Sequence, residues 1–380
     1  MDTTSLSWNA ARGWRSQKDE LAPHLVLYFG SRQTLSDAKR YHELRAMFPE
    51  ACLMGCSTDG QICGDEIIEG GVNAVAVRFD ATGIRTAIAD APNPGDSRIY
   101  GEAIGRALAS DDLAGVFVLS DGLAVNGSEL VAGITRHTGN VPVSGGLAGD
   151  GSQFTETVVG LDCPPQSKKI AAIGLYGSAI KIGHGSAGGW DVFGPKRRIT
   201  SAEGNVLFQL DGQPALDLYE RYLGEDEFEA LPGSALLFPL QIHDPRRPDH
   251  QVVRTVLAVD REKRSMTFAG DMPEGWVAQL MRGNFDRLAS GAAEAAQLAR
   301  GGLGDLKDGD GVAILVSCIG RKLLMGQQIV TEIEAAAATL GPDLTRIGFY
   351  SYGEITPHAT SGICELHNQT MTITTMVEHA

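Results

Sequence analysis

The strongest constraint on the fold is a strand-helix-strand pattern that occurs three times along the 380 residues. In each copy a short apolar run precedes a helical pattern, and a second apolar run ends in a turn of small residues. The copies span residues 25–60, 115–151 and 312–355. Because a strand-helix-strand crossover pairs its two strands in parallel, the pattern predicts an α/β fold of two mixed-sheet domains built from these repeated units.

The boundary between the two domains is predicted near residue 190. Residues 24–189 contain the first two copies, and residues 190–380 contain the third. Within the second domain the patterns predict helices over 215–223 and 285–300 and a loop over 239–249. Two further strand patterns, 362–366 and 371–376, predict a hairpin that turns at Asn368.

Polar side chains follow both strands of the third copy. Ser317, Cys318 and Arg321 come after its first strand, and Tyr352 and Glu354 come after its second. The carboxyl ends of parallel strands lie at one edge of a sheet, and ligands in open α/β sheets bind beyond that edge. These five side chains are therefore predicted to converge on a ligand.

The turns of the other two copies supply further candidates. Backbone N–H groups at Cys56-Ser57 and at Gly145-Gly146 are predicted hydrogen-bond donors, and Asp121 is a predicted acceptor. Glycine allows a ligand to approach the backbone closely, because it has no side chain. The alternative is that these glycines only close tight turns.

An amino-acid ligand needs one partner for its carboxylate and another for its ammonium group. Arg321 is the predicted bidentate partner of the carboxylate, and Glu354 or Asp121 is the predicted acceptor of the ammonium. The alternative hypothesis is that Arg321 and Glu354 pair with each other as a structural ion pair.

Composition and charge exclude several classes of protein. A net charge of −15 argues against nucleic-acid binding, which depends on clustered basic residues. No run approaches the roughly 20 apolar residues of a membrane helix, and the first 23 residues lack the apolar core of a signal peptide, so a cytoplasmic protein is expected. The six cysteines lack paired spacing, which argues against structural zinc and disulfides.

Motifs for enzymatic chemistry are also missing from the sequence. It contains no G-x-S-x-G elbow, no H-E-x-x-H pair and no P-loop. Residues 183–188 match G-x-G-x-x-G, but Trp190, Phe193 and Pro195 follow where a dinucleotide-binding fold requires a helix. A binding protein without catalytic activity is therefore expected.

Six short motifs follow one another along the chain: the run Phe48–Thr58, the turn Ser120-Asp121-Gly122, the pair Gly145-Gly146, and the segments 317–321, 348–355 and 366–368. The first three resemble the N-terminal half of the FIST family, named for F-box and intracellular signal transduction proteins. The last three resemble its C-terminal half. The resemblance covers nearly the whole chain and implies the stand-alone bacterial form, with an N-type domain over 24–189 and a C-type domain over 190–380.

The resemblance implies a sensor that binds a small ligand and signals to a histidine kinase, a diguanylate cyclase or a phosphodiesterase. Some stand-alone members are haem proteins that sense nitric oxide, and for others an amino acid or related metabolite is the proposed ligand. His367, in a family-like segment, is the first candidate for an axial haem ligand, followed by His184, His358 and Cys163. A ligand-free interaction scaffold is the remaining alternative, and a homodimer is a further hypothesis.

Overall fold

The computed structural model describes residues 1–16, 21–231, 233–303 and 311–379. Strands and helices are numbered along the chain, and the strands of this described part form four β-sheets. The helices have the following bounds: α1 Arg32–Leu35, α2 Lys39–Met47, α3 Ser97–Leu108, α4 Gly127–Thr138, α5 Ala215–Leu223, α6 Glu225–Glu229, α7 Phe285–Gly301, α8 Ile319–Met325 and α9 Val330–Leu340. Short 3₁₀ helices span Pro94–Asp96, Gly233–Leu237 and Gly326–Ile329.

Three of the sheets have six strands each. In spatial order, the first contains β11 Val159–Leu161, β4 Cys52–Ser57, β3 Leu25–Gly30, β7 Val72–Arg78, β1 Asp2–Asn9 and β2 Gly13–Ser16. The second contains β26 Cys364–His367, β25 Gly353–Pro357, β10 Val143–Leu147, β9 Leu113–Ser120, β12 Lys169–Tyr176 and β8 Gly83–Asp90. The third contains β13 Ile180–Ala187, β27 Met371–Glu378, β23 Gly311–Cys318, β24 Leu344–Ser351, β5 Gln61–Cys63 and β6 Glu66–Ile68.

The strands of the fourth sheet all come from residues 190–283. In the described residues this sheet has nine strands. Its main path is β19 Gln251–Arg254, β18 Leu240–His243, β22 Val277–Gly283, β15 Arg197–Glu203, β16 Val206–Leu210, β21 Ser265–Phe268 and β20 Val256–Asp260. Two short strands pair beside this path, β14 Trp190–Val192 with β22 and β17 Gln213–Pro214 with β16.

The first three sheets share one topology. Each has a central parallel pair joined through helices: β3 with β4, β9 with β10, and β23 with β24. An antiparallel strand flanks the first member of each pair, namely β7, β12 and β27. Another flanks the second member, namely β11, β25 and β5. The predicted α/β fold of repeated strand-helix-strand units is therefore confirmed.

Local sequence signals set the ends of the helices. The side chain of Asn126 accepts hydrogen bonds from the N–H groups of Ser128 and Glu129, which caps the start of α4. Asn284 caps α7 in the same way. Gly341 ends α9 with a φ of 81°, a conformation that is strained for residues with a side chain.

The inner faces of the three related sheets share one hydrophobic core. Phe29 of β3 stacks on Phe349 of β24 with ring centroids 4.5 Å apart, and Phe117 of β9 belongs to the same buried cluster. The fourth sheet packs with α5 and α6 around a separate core, in which Tyr219 and Phe268 are fully buried. The three related sheets and the fourth sheet thus have separate cores.

Strands from both sides of residue 190 share two of the sheets. The second sheet pairs β10 with β25, and the third pairs β24 with β5. Residue 190 itself begins β14, the first strand of the fourth sheet, and the indole N–H of Trp190 donates to the carbonyl of Gln369. Separate folding of residues 24–189 and 190–380 stays a prediction.

Two predictions for local structure in the second domain are wrong. The strands predicted to form a hairpin at Asn368 belong to different sheets, because β26 pairs with β25 whereas β27 pairs with β23 and β13. The predicted loop over 239–249 contains the strand β18. In the first case β26 pairs with the strand before it, and only β27 pairs with strands distant in sequence. In the second case β18 pairs with the nearby β19 and with β22. Local patterns carry little information about which strands pair.

Gly145 provides a test of how tightly the second sheet is packed. Its φ is +134°, and a Cβ atom there would lie 1.8 Å from the carbonyl oxygen of Val118 on the neighbouring strand. We expect Gly145→Ala to lower the unfolding free energy by roughly 3 kcal/mol, measured by urea denaturation. Gly301→Ala is the control, since nothing lies within 4 Å of its added Cβ. Equal stability of the two variants would contradict the close packing.

Candidate functional site

The carboxyl ends of the three parallel strand pairs are joined by direct hydrogen bonds. The N–H of Gly149 donates to the carbonyl of Ser57 at 3.0 Å, which joins the turns after β10 and β4. Thr58 Oγ1 donates to the carbonyl of Tyr350 at 2.8 Å, which joins β4 to β24. The structure therefore brings the predicted turns together, and it fills the space between them with protein atoms.

Arg321 lies on α8 and is fully buried. Its Nε donates to Oε2 of Glu332 at 2.8 Å, and its Nη2 donates to the carbonyl of Leu288 at 2.8 Å. Its Nη1 donates to the carbonyls of Gly188 and Gln369. The partner of Arg321 is therefore Glu332 and not Glu354, and each of its nitrogens donates within the protein.

Glu332 is the central acceptor of this region, and it was not among the predicted residues. Its Oε1 accepts from Ser317 Oγ at 2.8 Å and from the hydroxyl of Tyr350 at 3.2 Å. Burial, followed by the charge of Glu332, raises the pKa of Tyr350 well above its usual value. A signal for Glu332 was present in the sequence, because it lies four residues before Ala336, on the apolar face of α9.

Glu354 forms a second buried group beside the first. Its Oε1 accepts from Ser351 Oγ at 2.6 Å, and its Oε2 accepts from the N–H and hydroxyl of Thr370 at 3.1 and 2.9 Å. Burial raises the pKa of Glu354 to about 8, against the opposing effect of these hydrogen bonds. Cys318, also buried, has a thiol pKa raised by burial and by the charge of Glu354.

The remaining predicted residues of this cluster also have partners within the protein. The hydroxyl of Tyr352 donates to Asp150 and lies 2.7 Å from the carbonyl of Gly151, while its ring stacks on Phe154. Cys56 lies in the common hydrophobic core, and Ser57 Oγ accepts from the N–H of Val158. A Cβ atom on Gly146 would lie 2.8 Å from Val316.

Asp121 differs from the others because it lies at an open cleft. Its Oδ1 accepts from the N–H groups of Leu123 and Ala124 at 2.8 and 2.9 Å, and its Oδ2 accepts from the N–H of Lys168 at 2.7 Å. The carboxylate thereby holds the turn after β9 against the turn before β12. Asp121 shapes this cleft by joining two of its walls.

The cleft has a volume of about 770 Å³ and lies beyond the carboxyl ends of β3 and β9. We call it the Arg32 cleft, after the arginine that follows β3. Its lining residues are Arg32, Pro92, Pro94, Asp121, Leu123, Ala124, Thr155, Glu156, Thr157, Ser167 and Lys168. Charges of both signs therefore face one open space, beside an apolar wall formed by two prolines and a leucine.

Arg32 retains hydrogen-bonding capacity in this cleft. Its Nη1 lies 3.3 Å from Glu156 and its Nη2 lies 3.3 Å from Gln153, both at the long end for hydrogen bonds. Its Nε is buried without a hydrogen-bond partner. Arg32 was not among the predicted residues, although it directly follows the turn Gly30-Ser31 at the end of the first predicted strand.

His367, the predicted axial haem ligand, lies in β26 and is 5% exposed. Its Nε2 lies 3.3 Å from the carbonyl of Thr356, and its ring stacks on His358 at 5.9 Å. Burial lowers the pKa of His367 to about 4. Polar contacts and a second imidazole occupy the surroundings where a haem would need an apolar pocket, so they give the haem prediction no support.

Among the described residues, no helix combines the length and apolar character needed to cross a bilayer.

Comparison with known protein families identifies the family of this chain. The family model for the FIST N domain matches residues 24–213, and the model for the FIST C domain matches residues 215–357. The chain therefore belongs to the FIST family, with both domains present as the motifs predict. FIST domains are associated with the sensing of small ligands in signal transduction.

Individual relatives add little about function. A stretch of 298 residues, 72% of this chain, is 25% identical to an uncharacterized protein of Methanocaldococcus jannaschii. The match covers 55% of that relative, so the chain spans about half of its length. The crystal structure of cyanuric acid hydrolase from A. caulinodans aligns over 94% of this chain and 91% of its own. Its TM-score is 0.34 at 10% identity, which supports no argument about fold or chemistry.

Replacement of Arg321 tests whether the buried ion pair is structural. Arg321→Ala leaves the carboxylate of Glu332 buried without its cation, so we expect a loss of ~3–5 kcal/mol of unfolding free energy. Urea denaturation measures this loss, with Arg282→Ala, an exposed arginine on β22, as the control. The double variant Arg321→Ala, Glu332→Ala should recover part of the loss. A loss no larger than in the control would refute the structural role.

Glu354 gives a prediction for pH dependence. The pKa of Glu354 is about 8 in the folded protein, against an ordinary value of 4.5 that applies to the unfolded chain. Between pH 4.5 and pH 8 the folded protein therefore retains a proton that the unfolded chain has released. The stability that this group contributes is therefore complete below pH 4.5 and is lost as the pH rises through 8. We expect the unfolding free energy to fall between pH 5 and pH 8 by on the order of 3 kcal/mol more in the wild type than in Glu354→Gln.

Urea denaturation at both pH values measures the effect, and Glu334→Gln serves as the control because Glu334 is an exposed residue of α9. Parallel profiles for the wild type and Glu354→Gln would show that the carboxyl group is ionised in the folded protein at pH 5.

Proposed function

We propose that this protein is a sensor that binds an amino acid or a closely related small carboxylate in the Arg32 cleft, without catalytic turnover. One observation carries the proposal: Arg32 and Lys168 lie with Glu156 around an open cleft at the carboxyl ends of β3 and β9, which belong to two different sheets and each form a parallel pair there. Open α/β sheets bind ligands beyond the carboxyl ends of such strands. The family's association with small-ligand sensing agrees with it.

The cleft suits a zwitterion with an apolar side chain. The guanidinium of Arg32 is the partner for a carboxylate, since its side chain is 25% exposed and its Nη1 and Nη2 form only long contacts of 3.3 Å with Glu156 and Gln153. Glu156, whose side chain is 49% exposed, is the partner for an ammonium group. Pro92, Pro94 and Leu123 supply an apolar wall for the side chain of the ligand.

A chain of contacts links the cleft to the fourth sheet and supports communication between them. The turn 121–124, held by Asp121, leads directly to Asn126 at the start of α4. Asn126 Nδ2 donates to Oδ1 of Asp271, which follows β21 of the fourth sheet, at 2.8 Å. Ligand contacts on the turn would act through this link on a surface that faces a signalling partner, such as a histidine kinase or a cyclic-dinucleotide enzyme.

The haem and scaffold hypotheses make different predictions for the purified protein. A haem sensor, expressed with iron and a haem precursor, would show an intense Soret band, and a scaffold would show no thermal shift with any metabolite. We expect neither outcome. A colourless protein whose melting temperature rises with one or more amino acids in a panel agrees with the proposal, and no shift across the panel would overturn it.

Variants at Arg32 test the site once a ligand from the panel has been identified. Loss of a charge-assisted contact in Arg32→Ala should weaken binding by ~1.5–3 kcal/mol, about 10- to 100-fold in Kd by calorimetry. Arg32→Lys keeps the charge but loses the bidentate geometry and should give an intermediate affinity. Arg12→Ala, at an exposed turn outside the cleft, is the matched control. Unchanged affinity in Arg32→Ala would place the ligand elsewhere.

A further inference from the structure

We propose that His250, His358 and Glu365 form a binding site for a zinc-class divalent cation that joins the second and fourth sheets. His250 directly precedes β19 of the fourth sheet. His358 follows β25 and Glu365 lies in β26, both in the second sheet. One ligand atom from each of the three residues lies within 4.8 Å of the other two. The site is distinct from the Arg32 cleft and independent of the function proposed for it.

The distances between His250 and Glu365 are close to those between two ligands of one ion. Nε2 of His250 forms a hydrogen bond of 3.2 Å with Oε2 of Glu365 and lies 3.1 Å from Oε1. Two ligands in a tetrahedral site, each ~2.0–2.2 Å from the metal, are roughly 3.3–3.6 Å apart. A bound ion would therefore replace this hydrogen bond after only a small separation of the two side chains.

Unsatisfied polar atoms at the same place point to a missing partner. Oε1 of Glu365 is buried and forms no hydrogen bond of acceptable angle, although Nε2 of His250 lies near it. Nδ1 of His250 is also buried without a partner. A buried carboxylate oxygen without a partner costs free energy, and a bound cation would remove that cost.

His358 must turn its ring to complete the site. Its ring lies parallel to that of His250, with centroids 4.4 Å apart and planes inclined by 10°, so one ion cannot lie in both ring planes. The hydrogen bonds that hold the ring are long. Its Nε2 lies 3.3 Å from the carbonyl of Gln251, and its Nδ1 accepts from the N–H groups of Thr360 and Ser361 at 3.3 and 3.4 Å. Residues 359–362 are exposed, which leaves the ring room to turn.

The donor set determines the class of ion. Two imidazoles and one carboxylate suit Zn²⁺ and related transition metals, whereas Mg²⁺ and Ca²⁺ prefer oxygen ligands alone. The side chains of His250 and Glu365 are 14% and 19% exposed, so the site lies close to the protein surface although Oε1 of Glu365 is buried. His367 is not a member of this set, because it lies behind His358 in the stack.

Calorimetric titration of tag-free, EDTA-treated protein with ZnCl₂ tests the site, with MgCl₂ as the comparison ion. We expect one Zn²⁺ per chain, a higher melting temperature with Zn²⁺, and no response to Mg²⁺. His250→Ala and Glu365→Gln should each weaken Zn²⁺ binding at least 10-fold, while the exposed controls His42→Ala and Glu334→Gln should bind as the wild type does. Absence of Zn²⁺ binding by the wild type would overturn the proposal.

Two further measurements keep the test decisive if His250→Ala or Glu365→Gln fails to fold. His358→Ala changes a residue next to an exposed turn, and circular dichroism at the titration temperature verifies its fold. Co²⁺, added in place of Zn²⁺, should give the visible absorption of a tetrahedral centre in the wild type and lose it in His358→Ala. Binding that is equally strong in all three site variants would mean that the ion lies elsewhere and would refute the site.

Discussion

The buried ion pair between Arg321 and Glu332 is the interaction on which the third repeated unit depends. It joins α8 to α9, and through Ser317 and Tyr350 it joins both helices to the ends of β23 and β24. The guanidinium also donates to the carbonyl of Leu288 at the start of α7. A buried pair of this kind stabilises little by itself, but removal of either partner is costly, so it fixes how these elements are arranged.

This arrangement explains why the predicted site residues have structural partners. The edge where parallel strands end is the right place to look for a ligand, and the three turns do meet there. At their meeting point, however, Tyr352 packs against Gly122 and Gly149, and Glu332 and Glu354 are fully buried with partners in the protein. The open space lies farther out, where Arg32 and the turn at Asp121 face solvent. The sequence locates the edge, and packing decides which part of that edge is open.

How much of the structure could be predicted depends on how far apart in the sequence the interacting residues lie. Each repeated unit contains its own parallel pair within about 40 residues of sequence, so apolar periodicity was sufficient to find all three. The partner of Arg321 is 11 residues away on the next helix, and only the buried face of α9 pointed to it. The separation of β26 from β27 into different sheets, and the volume of the Arg32 cleft, depend on contacts between segments far apart in the sequence. Local pattern contains no information on those contacts.

The sharing of sheets between distant segments has a consequence for synthesis of the chain. The second and third sheets include β8, β9, β10, β5 and β6 from the first half, but they also need β23 to β27 from residues 311–379. During translation the parallel pair of the first unit can form early, and β10 and β5 can pair with β9 and β6. On their other sides, β10 and β5 wait for β25 and β24, which are made much later. Contacts with such long sequence separation form slowly, and unpaired strand edges favour aggregation while they wait. We therefore expect the nascent chain to depend on chaperones more than its size alone implies.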